Sequence, residues 1–150
     1  RTRDDARQPF VGYGLALLPD DVARLGQWLN PQGESARDLL DERMWRSALQ
    51  LDAADRGLAA NVDGTLLYND GFWAARIDDL PGCDVPVFVP FMSGFGGISI
   101  VLLPNGVAYY YFSDGNEFRF RRAIYAAARL HPYCRTATAT PADTAKDSDS

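Results

Sequence analysis

The sequence of 150 residues is poor in the side chains on which most catalytic sites depend. Lys146 is the only lysine and His131 the only histidine. A Ser-His-Asp triad would have to use His131, which precedes Pro132 at the end of a predicted helix, a position that suits a helix terminus better than a general base. No phosphate loop, dinucleotide fingerprint, metal-ligand cluster or spaced carboxylate pair is present. We therefore predict no cofactor and no metal site.

Long apolar runs and an excess of positive charge are missing as well. No apolar stretch approaches the roughly 18 residues that a membrane-spanning helix needs, so no membrane span is predicted. The 15 basic and 20 acidic residues give a net charge of −5. Such a balance argues against a protein that binds nucleic acid by neutralising its phosphates.

The length and composition of the chain fit one folded domain, which buries roughly 70% of the surface that its unfolded form exposes. Hydrophobic residues make up 47% of the sequence and charged residues 23%, as in ordinary globular proteins. From Thr136 onward the composition changes to Thr, Ala, Asp and Ser. We predict that residues 1–135 form the folded unit and that residues 136–150 form a disordered tail.

The two cysteines, Cys83 and Cys134, lie on either side of a predicted strand pair and the helix that follows it. An even count is consistent with one disulfide, but cysteine is also a common core residue, so two buried free thiols are the alternative. A disulfide would indicate an oxidising compartment such as the periplasm.

Hydrophobic periodicity predicts three helices. Asp20 or Asp21 is expected to cap the first helix, and Asp114 or Asn116 the third. The helices are expected to span about residues 19–30, 34–51 and 114–130. The positions expected to pack are Leu40, Met44, Ala48 and Leu51 in the second helix, and Phe120, Ile124 and Ala127 or Ala128 in the third.

Runs of β-branched and aromatic residues predict strands at 65–68, 72–77 and 85–91, after a loop at 52–63. Pro86 and Pro90 suggest that the last of these is an edge strand or an extended entry into the next one. Asn105-Gly106 then joins the runs 98–103 and 107–112, which is the strongest hairpin signal in the chain. Alternation across the sheet places Tyr110 on one face and Tyr109 and Tyr111 on the other.

The most distinctive segment is Met92-Ser93-Gly94-Phe95-Gly96-Gly97, which leads into that hairpin. Glycine inside a strand pattern leaves no side chain to pack and lets another group approach the backbone closely. The segment is therefore interpreted as either a substrate-facing edge or a bulge.

Two segments resemble a known family. Gly12-Tyr13-Gly14-Leu15 followed by residues 20–29 is similar to the Gly-Gly-Leu and Asp-Leu-Ala-Arg-Phe-Gly segments of serine β-lactamase-like hydrolases. This superfamily includes class C β-lactamases, penicillin-binding proteins, and related esterases and amide hydrolases. Met92-Ser93-Gly94 falls where its members carry Lys-Thr-Gly or His-Thr-Gly, and the resemblance covers about residues 12–132.

The resemblance implies an α+β fold, with an antiparallel sheet and packed helices, and an acyl-enzyme route. Ser93 would contact a substrate carbonyl or carboxylate, and the amide of Phe95 would donate to the oxyanion. Gly94 would keep the strand open to the ligand, while Gly96 and Gly97 would allow close approach. The localisation expected from a disulfide between Cys83 and Cys134 is periplasmic or secreted.

This sequence also departs from the family pattern. Met92 replaces the Lys or His, which favours an ester, amide or peptide-like substrate over a β-lactam. The chain has no Ser-x-x-Lys, and Tyr68-Asn69 lacks the middle residue of Tyr-x-Asn. In the family both motifs precede the Gly-Gly-Leu segment, so the chain is expected to be the C-terminal half of such an enzyme, inactive without its N-terminal portion. The alternative is a non-catalytic peptide- or glycan-binding module with the same fold.

Overall fold

The computed structural model describes residues 17–32, 39–94, 97–113, 115, 120–130 and 134. These residues form a six-stranded antiparallel sheet with three α-helices, which confirms the predicted α+β class. The strands follow one another across the sheet in chain order. The helices are α1 (Pro19–Leu29), α2 (Glu42–Ala48) and α3 (Phe120–Leu130), with a 3-10 turn at Ala53–Asp55. The strands are β1 (Leu58–Ala59), β2 (Leu66–Asn69), β3 (Phe72–Ile77), β4 (Val87–Gly94), β5 (Ile98–Leu102) and β6 (Ala108–Tyr111).

Successive residues of each strand point to opposite sides of the sheet, and helices cover both of these faces. On one side, which we call the α3 face, Ile124 and Ala127 of α3 pack against the central strands. On the other, the α1 face, residues of α1 and α2 pack against Ile100 and Leu102 of β5. The sheet thus forms the middle of three layers, with an apolar core on each side of it.

Helix α3 packs as its periodicity predicts. Ile124, Ala127 and Ala128 are buried in the α3-face core, and Phe120 packs against its edge. The small alanines let the helix axis approach the sheet. The predicted caps Asp114 and Asn116 lie outside the described residues, as do His131 and residues 136–150.

Helix α1 has the predicted bounds, but the predicted aspartate cap is wrong. The N-cap position is Leu18, whose side chain makes no capping hydrogen bond, and Pro19 is the first helical residue. Proline is favourable there because its fixed φ suits the helix and its missing N–H is not needed. Asp20 and Asp21 lie in the first turn, where their charges complement the helix dipole.

Of the helix predicted at 34–51, residues 34–38 lie outside the described residues, and α2 covers only Glu42–Ala48 of the remainder. It begins at Glu42, because Asp41 caps it by accepting a hydrogen bond from the amide of Met44 at 2.9 Å. The apolar face also differs from the prediction, since Met44 is 72% exposed whereas its neighbour Trp45 is 5% exposed. The helix ends before Gln50, whose backbone is left-handed, with φ +56°. The predicted loop after it contains the 3-10 turn and β1.

Asn30, directly after α1, joins this helix to the β5–β6 hairpin. Its side-chain Nδ2 donates to the carbonyl oxygens of Leu103, at 3.0 Å, and Val107, at 3.1 Å. Its Oδ1 accepts from the amide of Gln32 at 2.9 Å. Because Asn30 is 1% exposed, water could not easily replace its amide as the hydrogen-bond partner of these backbone groups.

We expect Asn30→Ala to lower the free energy of unfolding by about 2 kcal/mol, since a buried polar group left without a partner costs about 1–3 kcal/mol. The measurement is urea denaturation followed by tryptophan fluorescence. Asn61→Ala, which removes an amide from a surface turn, serves as the comparison. An equal loss in both variants would contradict a special role for Asn30.

The structure contains the Cys83–Cys134 disulfide, with the two Cα atoms 5.3 Å apart. The disulfide alternative is thereby confirmed and the free-thiol alternative is wrong. The bond is compatible with a secreted or periplasmic location. Among the described residues, no helix is both long enough and apolar enough to cross a membrane.

Candidate functional site

The candidate site lies at the end of β4, where the pairing of this strand changes from one neighbour to the other. Residues Val87–Phe91 pair with β3, whereas Phe91–Gly94 pair with β5. Ser93 and Gly94 therefore extend beyond the β3 ladder and pair with β5 alone. On the β3 side, this short segment, which we call the Ser93–Gly94 edge, has no strand partner among the described residues, and an unpaired strand edge can accept an additional extended group.

This geometry corrects one detail of the sequence interpretation. The glycine-rich segment does not begin a strand: Ser93 and Gly94 end β4, and β5 begins at Ile98. Gly94 and Ile98 are paired across the hairpin, so Gly94 stays within the regular ladder rather than in a bulge. The bulge alternative is therefore not found at Ser93 and Gly94, and the substrate-facing edge stays a prediction.

The glycines of this segment differ in what the fold requires of them. Gly97 is buried and has φ +78°, a conformation that a tight turn demands and other residues rarely adopt. A Cβ atom built on Gly94 would meet only Ile98, at an ordinary distance of 3.9 Å. Backbone conformation therefore accounts for the glycine at 97, whereas no contact with the described residues accounts for that at 94. Phe95 and Gly96 lie outside the described residues, so the predicted oxyanion donor stays a prediction.

An apolar cavity of about 410 Å³ adjoins the Ser93–Gly94 edge on the α3 face. We call it the aromatic cavity. Its size lies within the range of small-molecule sites. Its lining residues come from β2, β3, β4 and α3 and are Leu66, Trp73, Phe91, Ser93 and Phe120.

Three aromatic rings of the lining are arranged in a row. The ring of Phe91 lies 4.7 Å from that of Phe120 and 6.3 Å from that of Trp73, both in stacked orientations. Tyr68, which is 43% exposed, extends the row with its ring centroid 4.8 Å from that of Trp73. Stacked rings present flat, rigid surfaces that suit an apolar or aromatic ligand group.

Ser93 is the only hydroxyl-bearing residue of the described cavity lining. Met92 has the opposite orientation and packs into the α1-face core, as alternation along the strand requires. The position that carries Lys or His in the family resemblance is therefore occupied here by a partly buried apolar side chain.

Ser99 is a polar residue that the sequence interpretation missed. It is paired with Ser93 across β4 and β5, so both side chains point to the α3 face. Ser99 is completely buried, and its Oγ has no hydrogen-bond partner among the described residues. A buried hydroxyl without a partner is unfavourable, and such groups often accompany a functional site. The only signal in the sequence is a serine within the apolar run Ile98–Leu103.

Arg121 and Asp63, charged residues close in sequence to the lining residues Phe120 and Leu66, form with Thr65 a brace between α3 and the start of β2. Arg121 donates to the hydroxyl oxygen of Thr65 at 3.1 Å, and Thr65 donates to Asp63 at 2.8 Å. The side-chain and backbone hydrogen bonds from Thr65 lower the pKa of Asp63 below its ordinary value, and the charge of Arg121 adds to this effect. The brace joins the chain neighbours of Leu66 and Phe120 and leaves the described lining itself uncharged.

The tyrosines of β6 alternate as predicted. Tyr110 packs in the α1-face core, whereas Tyr109 packs against the α3-face core. Tyr109 and Tyr111 both line a small hollow of about 180 Å³ beside α3. All three side chains are partly buried. The row of exposed tyrosines that would have favoured a binding module is therefore not found on β6.

The described residues include no group of three or more His, Cys, Asp or Glu side chains that could hold a metal ion. The chemistry available at the described site is thus hydrogen bonding by Ser93 and the strand backbone, together with apolar contacts in the cavity. Comparisons of the chain with protein-family models, with curated proteins and with solved structures found no match. Inferences about function must therefore come from this geometry and from the sequence motifs.

Proposed function

We propose that this chain is the C-terminal portion of a serine hydrolase of the β-lactamase-like type, acting on an ester, amide or peptide-like substrate. In this proposal the Ser93–Gly94 edge and the aromatic cavity form one wall of the substrate site. The nucleophile and the general base belong to an N-terminal portion of the same protein. The chain alone is then inactive, because the acyl group of the substrate is transferred to the nucleophile of the other portion.

The observation that carries the proposal is the open Ser93–Gly94 edge next to the aromatic cavity. An extended substrate can pair with an open strand edge and place a side group in an adjoining cavity. Gly94 has no steric reason to be glycine, since a Cβ there makes only an ordinary contact with Ile98. Close approach of a substrate explains why this position has no side chain.

The lining of the aromatic cavity favours one class of substrate over another. Its described residues carry no charge, so the cavity matches an apolar acyl or side group. Met92 supplies no cation for a substrate carboxylate and packs on the other face of the sheet. An ester or amide with an apolar acyl group therefore fits better than an anionic β-lactam.

In the acyl-transfer step, the nucleophile of the N-terminal portion attacks the substrate carbonyl, the general base takes the nucleophile's proton, and the leaving group departs with a proton. Ser93 holds the substrate through a hydrogen bond to its carbonyl or carboxylate. The negative charge that develops on the carbonyl oxygen requires amide donors, each worth about 3 to 4 kcal/mol when preorganised. The amide of Phe95 is the donor proposed from this chain.

The test compares the chain alone with the chain produced together with the polypeptide encoded before it. The probes are a fluorophosphonate, which labels activated serines, and p-nitrophenyl butyrate. We expect label and turnover only in the combined sample, with the label on the N-terminal portion. Ser93→Ala should then lower kcat/KM by about 10- to 100-fold, as the loss of a hydrogen bond to a polarised group does.

Ser47→Ala, the same chemical change on α2, should leave kcat/KM unaltered. Gly94→Ala should raise KM while the unfolding midpoint stays near that of the unaltered chain, because the added methyl group meets only Ile98. The proposal fails if Ser93→Ala retains full kcat/KM. It also fails if the fluorophosphonate labels Ser93 in the isolated chain, since the nucleophile would then lie here.

A non-catalytic binding module is the second candidate function. The observation in its favour is the row of aromatic rings from the exposed Tyr68 to Phe120, in a cavity whose described lining contains no His, Lys or carboxylate. Aromatic rows of this kind often bind peptides or sugars. Ligand binding by the isolated chain, without turnover in the combined sample, would favour this function.

A further inference from the structure

A second cavity, of about 490 Å³, lies at the other end of β4 and is separate from the aromatic cavity. We call it the arginine cavity because Arg46 and Arg56 both line it. It adjoins the half of β4 formed by Val87–Pro90, which pairs with β3 and lies outside the described β5 ladder. Strand β4 lies between β3 and β5 in the sheet, so the edge-strand alternative for this proline-containing run is wrong; the run leads directly into Ser93 and Gly94, as the other alternative predicts.

The two arginines differ in how their charges are compensated. Arg46 makes hydrogen bonds of 2.9 to 3.1 Å to both carboxylate oxygens of Asp52, which neutralise it and raise its pKa. Arg56 forms no ion pair with any carboxylate of the described residues. One of its nitrogens donates to the carbonyl oxygen of Gln50, and its Cζ lies 3.8 Å from the ring centroid of Phe88.

Arg56 is thus held in place, and most of its N–H donors have no acceptor among the described residues. A guanidinium has five N–H groups and stays protonated at neutral pH. Partial burial lowers the pKa of Arg56, which reflects the cost of removing its charge from water, although the charge of Asp52 opposes the shift. The hydrogen bond to Gln50 and the stacking on Phe88 hold the guanidinium in place, so Arg56 loses little side-chain freedom when a ligand binds.

Apart from Gln32 and Gln50, the remaining lining of the cavity is apolar. Four prolines lie around it, at positions 31, 86, 90 and 104, together with Leu51 and Val87. Pro86 and Pro90 have no amide hydrogen, so the open half of β4 offers few donors for pairing with a peptide strand. The ligand is therefore held by side chains rather than by strand addition.

We propose that the arginine cavity binds a small monocarboxylate with an apolar or aromatic body, its carboxylate on Arg56 and its body against the proline-rich walls. The charge count selects the carboxylate, because one uncompensated guanidinium matches one negative charge, whereas a phosphate dianion leaves a charge unpaired. The site is independent of Ser93, so it can fail without affecting the proposed hydrolase function.

The test is calorimetric titration of the full chain with 3-phenylpropionate, phenyl phosphate and the neutral 3-phenylpropanol. We expect 3-phenylpropionate to bind with a dissociation constant of about 1 mM or below, and the alcohol at least about tenfold more weakly, because it lacks the charge. Arg56→Gln should weaken 3-phenylpropionate by a similar factor. Arg43→Gln removes the same charge from the exposed side of α2 and should leave the affinity for 3-phenylpropionate unchanged, as should Ser93→Ala.

Equal binding of the acid and the alcohol, or unchanged binding by Arg56→Gln, overturns the proposal. Tighter binding of phenyl phosphate overturns the choice of a carboxylate. Circular dichroism of each variant shows whether it is folded. If Arg56→Gln does not fold, Arg56→Lys is measured instead. The proposal then predicts weaker binding of 3-phenylpropionate to Arg56→Lys, since an ammonium group keeps the charge but lacks the planar guanidinium.

Discussion

Replacing Cys83 and Cys134 by serine is expected to lower the free energy of unfolding by about 4 kcal/mol, because the disulfide closes a long loop in the unfolded chain. The two cysteines are separated by 51 positions, and the entropy that a cross-link removes from the unfolded ensemble increases with loop length. Urea denaturation of the oxidised chain and of the double variant gives the difference directly.

Reduction of the disulfide by dithiothreitol is the control for the double variant. Dithiothreitol should shift the unfolding midpoint of the unaltered chain to about that of the Cys83→Ser/Cys134→Ser variant, and should leave the midpoint of the variant unchanged. A loss below about 1 kcal/mol would contradict the loop-entropy argument. The bond also matters for the candidate site, since it joins the segment after α3 to that after β3, and α3 supplies Phe120 to the aromatic cavity.

Phe91→Ala is expected to cost about 4 kcal/mol, the range measured when a large buried aromatic residue is replaced by alanine. Phe91 is 1% exposed and lies in the centre of β4, between Trp73 of β3 and Val101 of β5. Its ring also stacks on Phe120 and lines the aromatic cavity. The variant should therefore lose both stability and any binding of apolar ligands.

Tyr68→Ala provides the comparison, because Tyr68 belongs to the same aromatic row but is 43% exposed. Its loss should cost no more than about 1 kcal/mol, the typical value for one aromatic contact. Chemical denaturation of both variants, with Phe91→Leu as a milder change, measures these differences. Equal destabilisation by Phe91→Ala and Tyr68→Ala would show that the row is not anchored through Phe91.

The sequence predicts the elements that have long, regular patterns and misses those decided by a single local contact. Helix α3 packs through Ile124 and Ala127 as expected, because its period of 3.6 residues is uninterrupted. The start of α2 was wrong, because the capping hydrogen bond of Asp41 is a local interaction that periodicity does not register. The tertiary role of Asn30 was missed for a similar reason, since its partners are 73 and 77 residues away.

The candidate site could be predicted only in part. Ser93 and Gly94 stand out in the sequence because glycine and serine interrupt an otherwise apolar run. The cavity beside them, however, combines Leu66, Trp73 and Phe120 from separate elements. Their meeting depends on strand register, which a single sequence specifies only weakly. Arg56 is an ordinary charged loop residue until the fold places it over Phe88.

The chain-order arrangement of the six strands has a consequence for how the protein folds. Each strand pairs with the next one along the chain, so most of the sheet can form from successive hairpins that close short loops. Hairpins form within about 1–10 μs, whereas contacts between distant parts of the chain form more slowly. Docking of α1 through Asn30 and closure of the Cys83–Cys134 pair join distant segments, so we expect these to be late steps of folding. Oxidation therefore locks a sheet that has already found its register.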